Sequence, residues 1–474
     1  WCGSQVQLFN CGHKENLIQL PDFSGNCYSK IADVNNSSYV DCFFNFLCSK
    51  MLNYHHFPNA IDFYGSFLGI QDEFRFDATD DISYLQESEF FKNKQDILYR
   101  VENETDLDLV KHNVKNTHGN RPKVLIENDI DVDIVDECFV EELSQTNETN
   151  MEVVFQMKKE DNSDNDSDSD DSSNNSQISE SDEDDDDDEE EKDGDDDADD
   201  LDDDDDNDDE DEDNSSTESE SEISVYIRKF PVQMICMEKC DGTLDKLLEN
   251  DEIGDDEIKS ALTQIVFALL VFQKCFSFTH NDLHTNNVTY VNTNMKYIVY
   301  TYENQKYYVP THGRIFKMID FGRAIYKFQD KVFCSDSFAP GGDAHSQYNF
   351  SPFLNEKKDV IEPNMSFDLC RLGCSLFDHF VDSIENKNKI KNPIAKLIIK
   401  WCTDDKGRNI LYKNNGEERY PDFKLYKMIA RNVHNHVPSN EIKNKLFNDY
   451  VTSKKKVNKK AKILNVDLMN IYVD

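Results

Sequence analysis

Two rhythms of apolar residues run through this chain, broken by a long stretch that keeps neither. Between Ser37 and Asn53, Val40, Phe43, Phe44, Leu47 and Met51 return at three- and four-residue steps, which puts them on one face of a helix. Phe57 to Phe67 reads as a turn into a strand, and Val232 to Met237 as a short apolar strand. Ala261 to Phe276 is a helix-like apolar stretch. Val288 to Val291, Tyr297 to Tyr302 and Lys306 to Val309 are aromatic and β-branched and predict strands, a hairpin with an extra arm. Ile315 to Ile319 predicts another short strand, and helical patterns return over Ile394 to Cys402 and Lys424 to Val433. From 73 to 225 the patterning lapses, although Ile97 to Phe139 holds scattered apolar residues that could form some helix or strand.

Charge explains the lapse. The 474 residues carry a net charge of −46, but residues 160–222 hold 38 acidic residues against one lysine, which leaves only −9 for all the rest. Such a tract buries too little apolar surface to offset its ordering entropy, and its charges repel, so disorder is expected. Ser163, Ser167, Ser169, Ser179 and Ser181 lie among these acids, the context that acid-directed kinases favour. The tract reads either as a modifiable segment for basic partners or as a solvated insert between two strands. The 13 cysteines are odd in number, scattered and free of any C-x-x-C pair, which points to a reducing intracellular compartment and no zinc site. The longest apolar run, Ile265 to Phe272, falls short of a membrane span, and no signal peptide is evident. The chain opens on Trp1 rather than Met, as one lacking its true start would. A basic cluster (Lys454, Lys455, Lys456, Lys459, Lys460) fits a nuclear-import signal, an anion-binding patch, a solvated tail or a contact for the acidic tract.

The candidate chemistry lies in residues 276–323. His280-Asn281-Asp282-Leu283-His284-Thr285-Asn286-Asn287 puts an acid and an amide five residues apart, just after the apolar helix. Met318-Ile319-Asp320-Phe321-Gly322 puts a second acid at the end of a short strand, before a glycine. Phosphoryl transfer needs such a set: one carboxylate to accept the proton of the attacking hydroxyl, and an amide oxygen and a second carboxylate to hold metal ions against the phosphates.

These two runs resemble the protein-kinase signature, H-R-D-L-x-x-x-N followed by D-F-G. Their wording looks like that of the serine/threonine kinases of giant DNA viruses of the mimivirus type. The resemblance implies an α+β, bilobal protein-kinase-like fold: a small antiparallel β N-lobe, a mostly helical C-lobe and a long disordered acidic insertion. Residues 1–72 would form part of the N-lobe, 73–225 the insertion, 226–242 the end of that lobe and the hinge, 243–450 the C-lobe, and 451–474 a basic tail. It implies Asp282 as catalytic base, and Asn287 and Asp320 as ligands of Mg²⁺ bridging the phosphates of ATP. His284 stands where a lysine usually meets the γ-phosphate, and adds charge only if protonated. Met237 would be the gatekeeper beside adenine, Glu238 and Cys240 the hinge backbone contacts, and Asp245 a ribose contact. Asp368, in Asp368-x-x-x-x-Gly373, would anchor the catalytic loop through backbone hydrogen bonds, and Glu356 would take the A-P-E position. Ala339 to Asp343 falls in a substrate-docking activation segment.

The chain also departs from the pattern. Gly3, Gly12 and Gly25 form no G-x-G-x-x-G, although Gly3-Ser4-Gln5-Val6 could be the tail of such a loop. Lys30 is the candidate for the phosphate-pairing lysine. The helix over 37–53 has no glutamate to meet it, and Asp41 is its one acid. Asn281 replaces the arginine that normally holds a phosphorylated activation loop.

The function so implied is transfer of the γ-phosphate of Mg-ATP to protein hydroxyls, those of Ser or Thr. A basic protein substrate suits the acidic tract. A monomer is expected, with no nucleic-acid or membrane partner. Two alternatives stand beside it: a small-molecule phosphotransferase of the aminoglycoside or choline kinase kind, which shares H-x-D-x-H-x-x-N, and a pseudokinase scaffold working through its acidic tract.

Overall fold

A computed structural model describes residues 20, 29–78, 85, 89–102, 223–381, 384, 389–421, 423–451 and 463–469. The acidic tract with its serines, Gly3, Gly12, Gly25 and the basic cluster lie outside the described residues. All described residues belong to one compact unit, which falls within residues 1–126 and 220–474.

That unit is mixed α+β, built of small sheets and helices. Helix α1, Ser37–His55, begins where the Asn36 side chain accepts the Ser38 N–H. Its apolar face buries Val40, Phe44, Leu47 and Met51, the face predicted from their spacing. Phe44 meets Phe272, Phe276, Phe278 and Phe321 at ring-centroid distances of 5.3, 5.6, 4.3 and 4.7 Å. Each such buried ring is worth roughly 1.5–3 kcal/mol over exposure.

Strand β1, Phe63–Asp77, runs well past the predicted turn and strand. It pairs antiparallel with β3, Ser224–Met237, bringing Phe67 opposite Met234 and Phe76 opposite Val225. Helix α2 (Glu89–Lys94) and strand β2 (Tyr99–Glu102) follow β1, and β2 takes the other edge of β3. A second, smaller core of Phe76, Leu85, Phe91, Tyr99, Val101, Ile223 and Val225 forms there. Residues on both flanks of the acidic tract therefore belong to the sheet. Asp72, Glu73, Arg75 and Asp77 obscured the strand in sequence because its far end buries one face only.

The main core surrounds a long helix. After β4 (Gly242–Thr243) and α3 (Leu244–Glu249) comes α4, Asp255–Phe276, six residues longer at its start than its apolar pattern suggested. Asp255, Asp256 and Glu257 in its first turn suit the positive end of the helix dipole. Among the described residues α4 alone is long and apolar enough to cross a membrane, and 83 % of its apolar window is buried within the protein's own core.

Strand β5 (Val288–Asn292) lies between β4 and β8 (Arg314–Met318), not in the predicted three-armed hairpin. Strands β6 (Tyr297–Tyr302) and β7 (Gln305–Pro310) do form a hairpin. Strands β9 (Ile325–Phe328) and β10 (Lys331–Cys334) make a further pair, so the second half holds more strand than expected. Then come α5 (Phe367–Phe380), α6 (Pro393–Trp401), α7 (Phe423–Asn432) and α8 (Pro438–Glu441). Gly373 lets α5 approach α6: a Cβ there would lie 3.0 Å from Trp401 Cβ and 3.1 Å from Cys402 Sγ. Finally β11, Ile463–Asn465, adds parallel to β6, and Leu464 and Val466 are buried. That part of the supposed basic tail is packed structure, because its apolar residues fill the edge of the β6–β7 sheet.

Candidate active site

Helix α4 ends at Ser277 in the left-handed conformation, and Thr279 then bridges to Ile325. The chain is thereby turned beneath α5. The N–H groups of His280 and Asn281 donate to Asp368 Oδ2 and Oδ1, each at 2.9 Å, contacts that the kinase resemblance implied. Asp368 is fully buried, and burial raises its pKa against the pull of His280 and of these two N–H groups. His280 Nε2 lies 3.0 Å from the Ile319 carbonyl, which ties the loop to the residue before Asp320. Asn281, at φ 63°, is wholly buried. Its amide donates to Thr279 Oγ1 at 3.1 Å and to the Arg323 carbonyl at 3.0 Å, and its oxygen accepts the Tyr348 hydroxyl at 2.8 Å. An uncharged amide thus knits the loop to the segment after Gly322.

Asn287 is hydrogen-bonded to both runs named from sequence. Its Nδ2 donates to the Asp282 carbonyl at 3.0 Å, and its own carbonyl accepts the Ile319 N–H at 3.1 Å. Asp282 Oδ1 accepts the Tyr426 hydroxyl at 2.9 Å, and Oδ2 lies 3.6 Å from Arg323 Nη1. Burial would raise the Asp282 pKa, but Arg323 and then Tyr426 outweigh it and hold the carboxyl below its ordinary value. Asp320 is exposed at φ 64°, a left-handed position that costs a non-glycine residue free energy. Its neighbour Phe321 donates its N–H to Asp41 Oδ1 at 2.9 Å and packs its ring on Phe44 and His280. Burial lowers the His284 pKa, and the opposing pull of Asp282 does not restore it.

Does this set fit a divalent cation? The Asn287 amide nitrogen is taken by the Asp282 carbonyl, which leaves Oδ1 unpartnered among the described residues. The Asp320 carboxylate likewise takes no hydrogen bond or ion pair there. One amide oxygen and one carboxylate, with room for phosphate and water oxygens, fit Mg²⁺, which is commonly held by one or two carboxylates plus substrate phosphates.

The candidate hinge residues follow the end of β3. Met237 closes β3 against the main core. The Glu238 N–H donates to the Asp62 carbonyl at 2.9 Å, so the backbone amide at this position is spoken for. Its side chain turns inward, accepts the Asp62 N–H at 2.8 Å and pairs with Lys317, a lysine only 4 % exposed that also donates to the Ala60 carbonyl at 3.0 Å. The Cys240 N–H has no partner among the described residues, and burial raises its thiol pKa. Asp245 Oδ1 accepts the Thr285 hydroxyl at 2.5 Å, which fastens the start of α3 to the catalytic loop.

Lys30 lies in a helical turn, Ser29–Ala32, not in a strand, and its ammonium pairs with Asp336 at 3.3 Å. Among the described residues no lysine or arginine meets Asp41. Glu356 is exposed and pairs with nothing there. Lys317, Arg323 and Tyr426 were missed in sequence. A lysine inside the apolar strand Arg314–Met318 was a signal for the first. Nothing local marked Tyr426, which stands 144 residues from Asp282.

Comparison with known proteins agrees with this geometry at a coarse level. Over 153 residues, 31 % of this chain and 35 % of the relative, it is 29 % identical to a protein of Acanthamoeba polyphaga mimivirus provisionally named a serine/threonine-protein kinase. Over 149 residues, 30 % of this chain and 19 % of the relative, it is 30 % identical to the serine/threonine-protein kinase haspin of Mus musculus. Over 127 residues, 23 % and 10 %, it is 32 % identical to a Dictyostelium discoideum protein also provisionally named a serine/threonine-protein kinase. The chain thus spans about a third or less of the length of these relatives. No protein-family model matches it. What the three have in common with this chain is a protein-kinase-like relationship, and the viral likeness is one instance of it.

Proposed function

We propose that this chain is an ATP-dependent protein kinase of two lobes acting on Ser or Thr hydroxyls. The observation that carries the reading is the joining of Asp282, Asn287 and Ile319-Asp320 through Asn287, above a buried Asp368 that holds the loop. Asp282 accepts the proton of the acceptor hydroxyl while that oxygen bonds to the γ-phosphorus and the bond to the β-phosphate oxygen breaks, leaving ADP and a phosphoester. Asn287 and Asp320 hold Mg²⁺, which when bound neutralises phosphate charge. His284 offers a hydrogen bond toward the γ-phosphate, and adds charge only when protonated. The Glu238 carbonyl and the Cys240 N–H face adenine.

The test is transfer of labelled phosphate from Mg-ATP to a protein mixture, beside aminoglycoside and choline acceptors. Transfer to protein that Asp282→Ala reduces by at least about 100-fold is expected. Transfer to the small molecules alone would replace the protein-kinase reading with the small-molecule one. That no lysine or arginine meets Asp41 among the described residues favours a second reading, a scaffold that binds no nucleotide. A thermal shift with Mg-ATP that Asp320→Ala abolishes would dispose of it.

A further inference from the structure

The hydroxyl of Tyr426 comes from α7, far along the chain, and lands on the candidate base. It donates to Asp282 Oδ1 at 2.9 Å and accepts from Arg371 Nε at 2.9 Å, so both its hydrogen-bonding roles are used. Its ring lies 5.7 Å from the Arg323 guanidinium and 5.1 Å from that of Arg371, and stacks on Phe423 at 5.4 Å. Ile429 and Ala430, one turn on, anchor α7 in the core. Asp282 Oδ2 takes no hydrogen bond among the described residues, because Arg323, at 3.6 Å, is an ion-pair neighbour only.

From this geometry we infer that Tyr426 is a positioning residue for the Asp282 carboxylate. By holding Oδ1, it presents Oδ2 to the acceptor hydroxyl. Arg371 fixes the tyrosine in turn, and Arg323 supplies the charge on the other side. The inference rests on the kinase reading above and deepens it. A competing meaning of the same contact is a plug, in which the tyrosine occupies the acceptor's place and must leave. The fully used hydroxyl, the two guanidiniums and the buried anchor of α7 argue for a fixed part.

The experiment compares the parent chain with Tyr426→Phe, Arg371→Met and Asp282→Ala, using Mg-ATP and two unlike acceptors, basic protamine and acidic casein. Tyr426→Phe keeps the ring and its packing and removes only the hydroxyl. A fall in kcat of about tenfold is expected for both acceptors alike, with KM for ATP and for each acceptor within about twofold. Arg371→Met should lower kcat in the same direction by a smaller factor. A rise in kcat for Tyr426→Phe would identify a plug and overturn the inference. A rise in KM that differs between the acceptors would make Tyr426 a wall of the acceptor groove and overturn it too, as would kcat within twofold of the parent. Parent activity no greater than that of Asp282→Ala would remove the kinase reading, and the inference with it. Any parent activity above that level keeps the two failures apart.

Discussion

Asp368 accepts the backbone N–H of His280 at 2.9 Å from the floor of the core, with no exposure of its own. Its other oxygen takes the Asn281 N–H, so one side chain sets the height and direction of the loop that ends in Asp282. Asp368→Ala leaves two buried donors unpaired, at a cost of about 1–3 kcal/mol each. Asp368→Asn should fare little better, because its NH₂ would face one of those donors. Denaturant titration and phosphate transfer test this together: a loss of about 2–5 kcal/mol with at least 100-fold less transfer is expected. Full activity in Asp368→Asn would refute the anchoring role.

At the junction of β8 with the end of β3, buried Lys317 pairs with half-buried Glu238. Removing one partner strands a charge, which costs roughly 3–5 kcal/mol where both groups are fully buried and less where one reaches solvent, while removing both is far milder. Lys317→Met should therefore lower stability by about 2–3 kcal/mol, and Lys317→Met with Glu238→Gln should recover most of it. Equal losses in the single and double variants would show that the pair is not coupled.

Asp41 supplies the pH dependence. Burial is the largest influence and pushes its carboxyl up to about 6, against the Phe321 N–H it accepts, with Asp320 acting alongside burial. The folded pKa lies above the unfolded value of 3.8, so the native state holds the proton more tightly between the two. Stability from this group is thus present at low pH and lost as pH rises from about 4 through about 6. Asp41→Asn should remove that slope and gain roughly 1–3 kcal/mol at pH 7. Denaturation curves from pH 4 to pH 8 that stay parallel for the two chains would contradict the assignment.

Activity should not depend on phosphorylation of the activation segment. Asn281 carries no charge to hold a phosphate and is already satisfied by Tyr348, Thr279 and Arg323. Fixed acids do the anchoring: Asp343 pairs with Arg323 at 2.8 Å, and Asp336 takes Lys30 at 3.3 Å and the Ser37 N–H at 2.9 Å at the start of α1. Phosphatase-treated chain is expected to transfer phosphate as well as untreated chain. Activity that vanishes on treatment, with the lost phosphate mapped to residues 323–350, would sink the idea.

Much of the fold could be read from particular residues. The spacing of Val40, Phe44, Leu47 and Met51 predicted the buried face of α1, because helical periodicity is a local property. The two hydrogen bonds of Asp368, to backbone 87 and 88 residues away, were expected only because its motif resembles that of the kinases. The far end of β1 was hidden by Asp72, Glu73, Arg75 and Asp77, since a strand buried on one face resembles a loop in composition. The pairing of Lys30 with Asp336 was not legible because a lysine's partner cannot be known from its neighbours in sequence.

The sequence by itself determined the order and spacing of the acid, the amide and the second acid, and the helix and strand that flank them. Only the tertiary structure decided who touches them: Tyr426 on Asp282, Lys317 on Glu238, Asp336 on Lys30, and Leu464 beside β6. Spacing along a chain is set by bonds and backbone geometry, which every short segment carries within itself. Contacts across tens or hundreds of residues are selected by how whole faces pack and which buried charges must be neutralised, and no short segment holds that information.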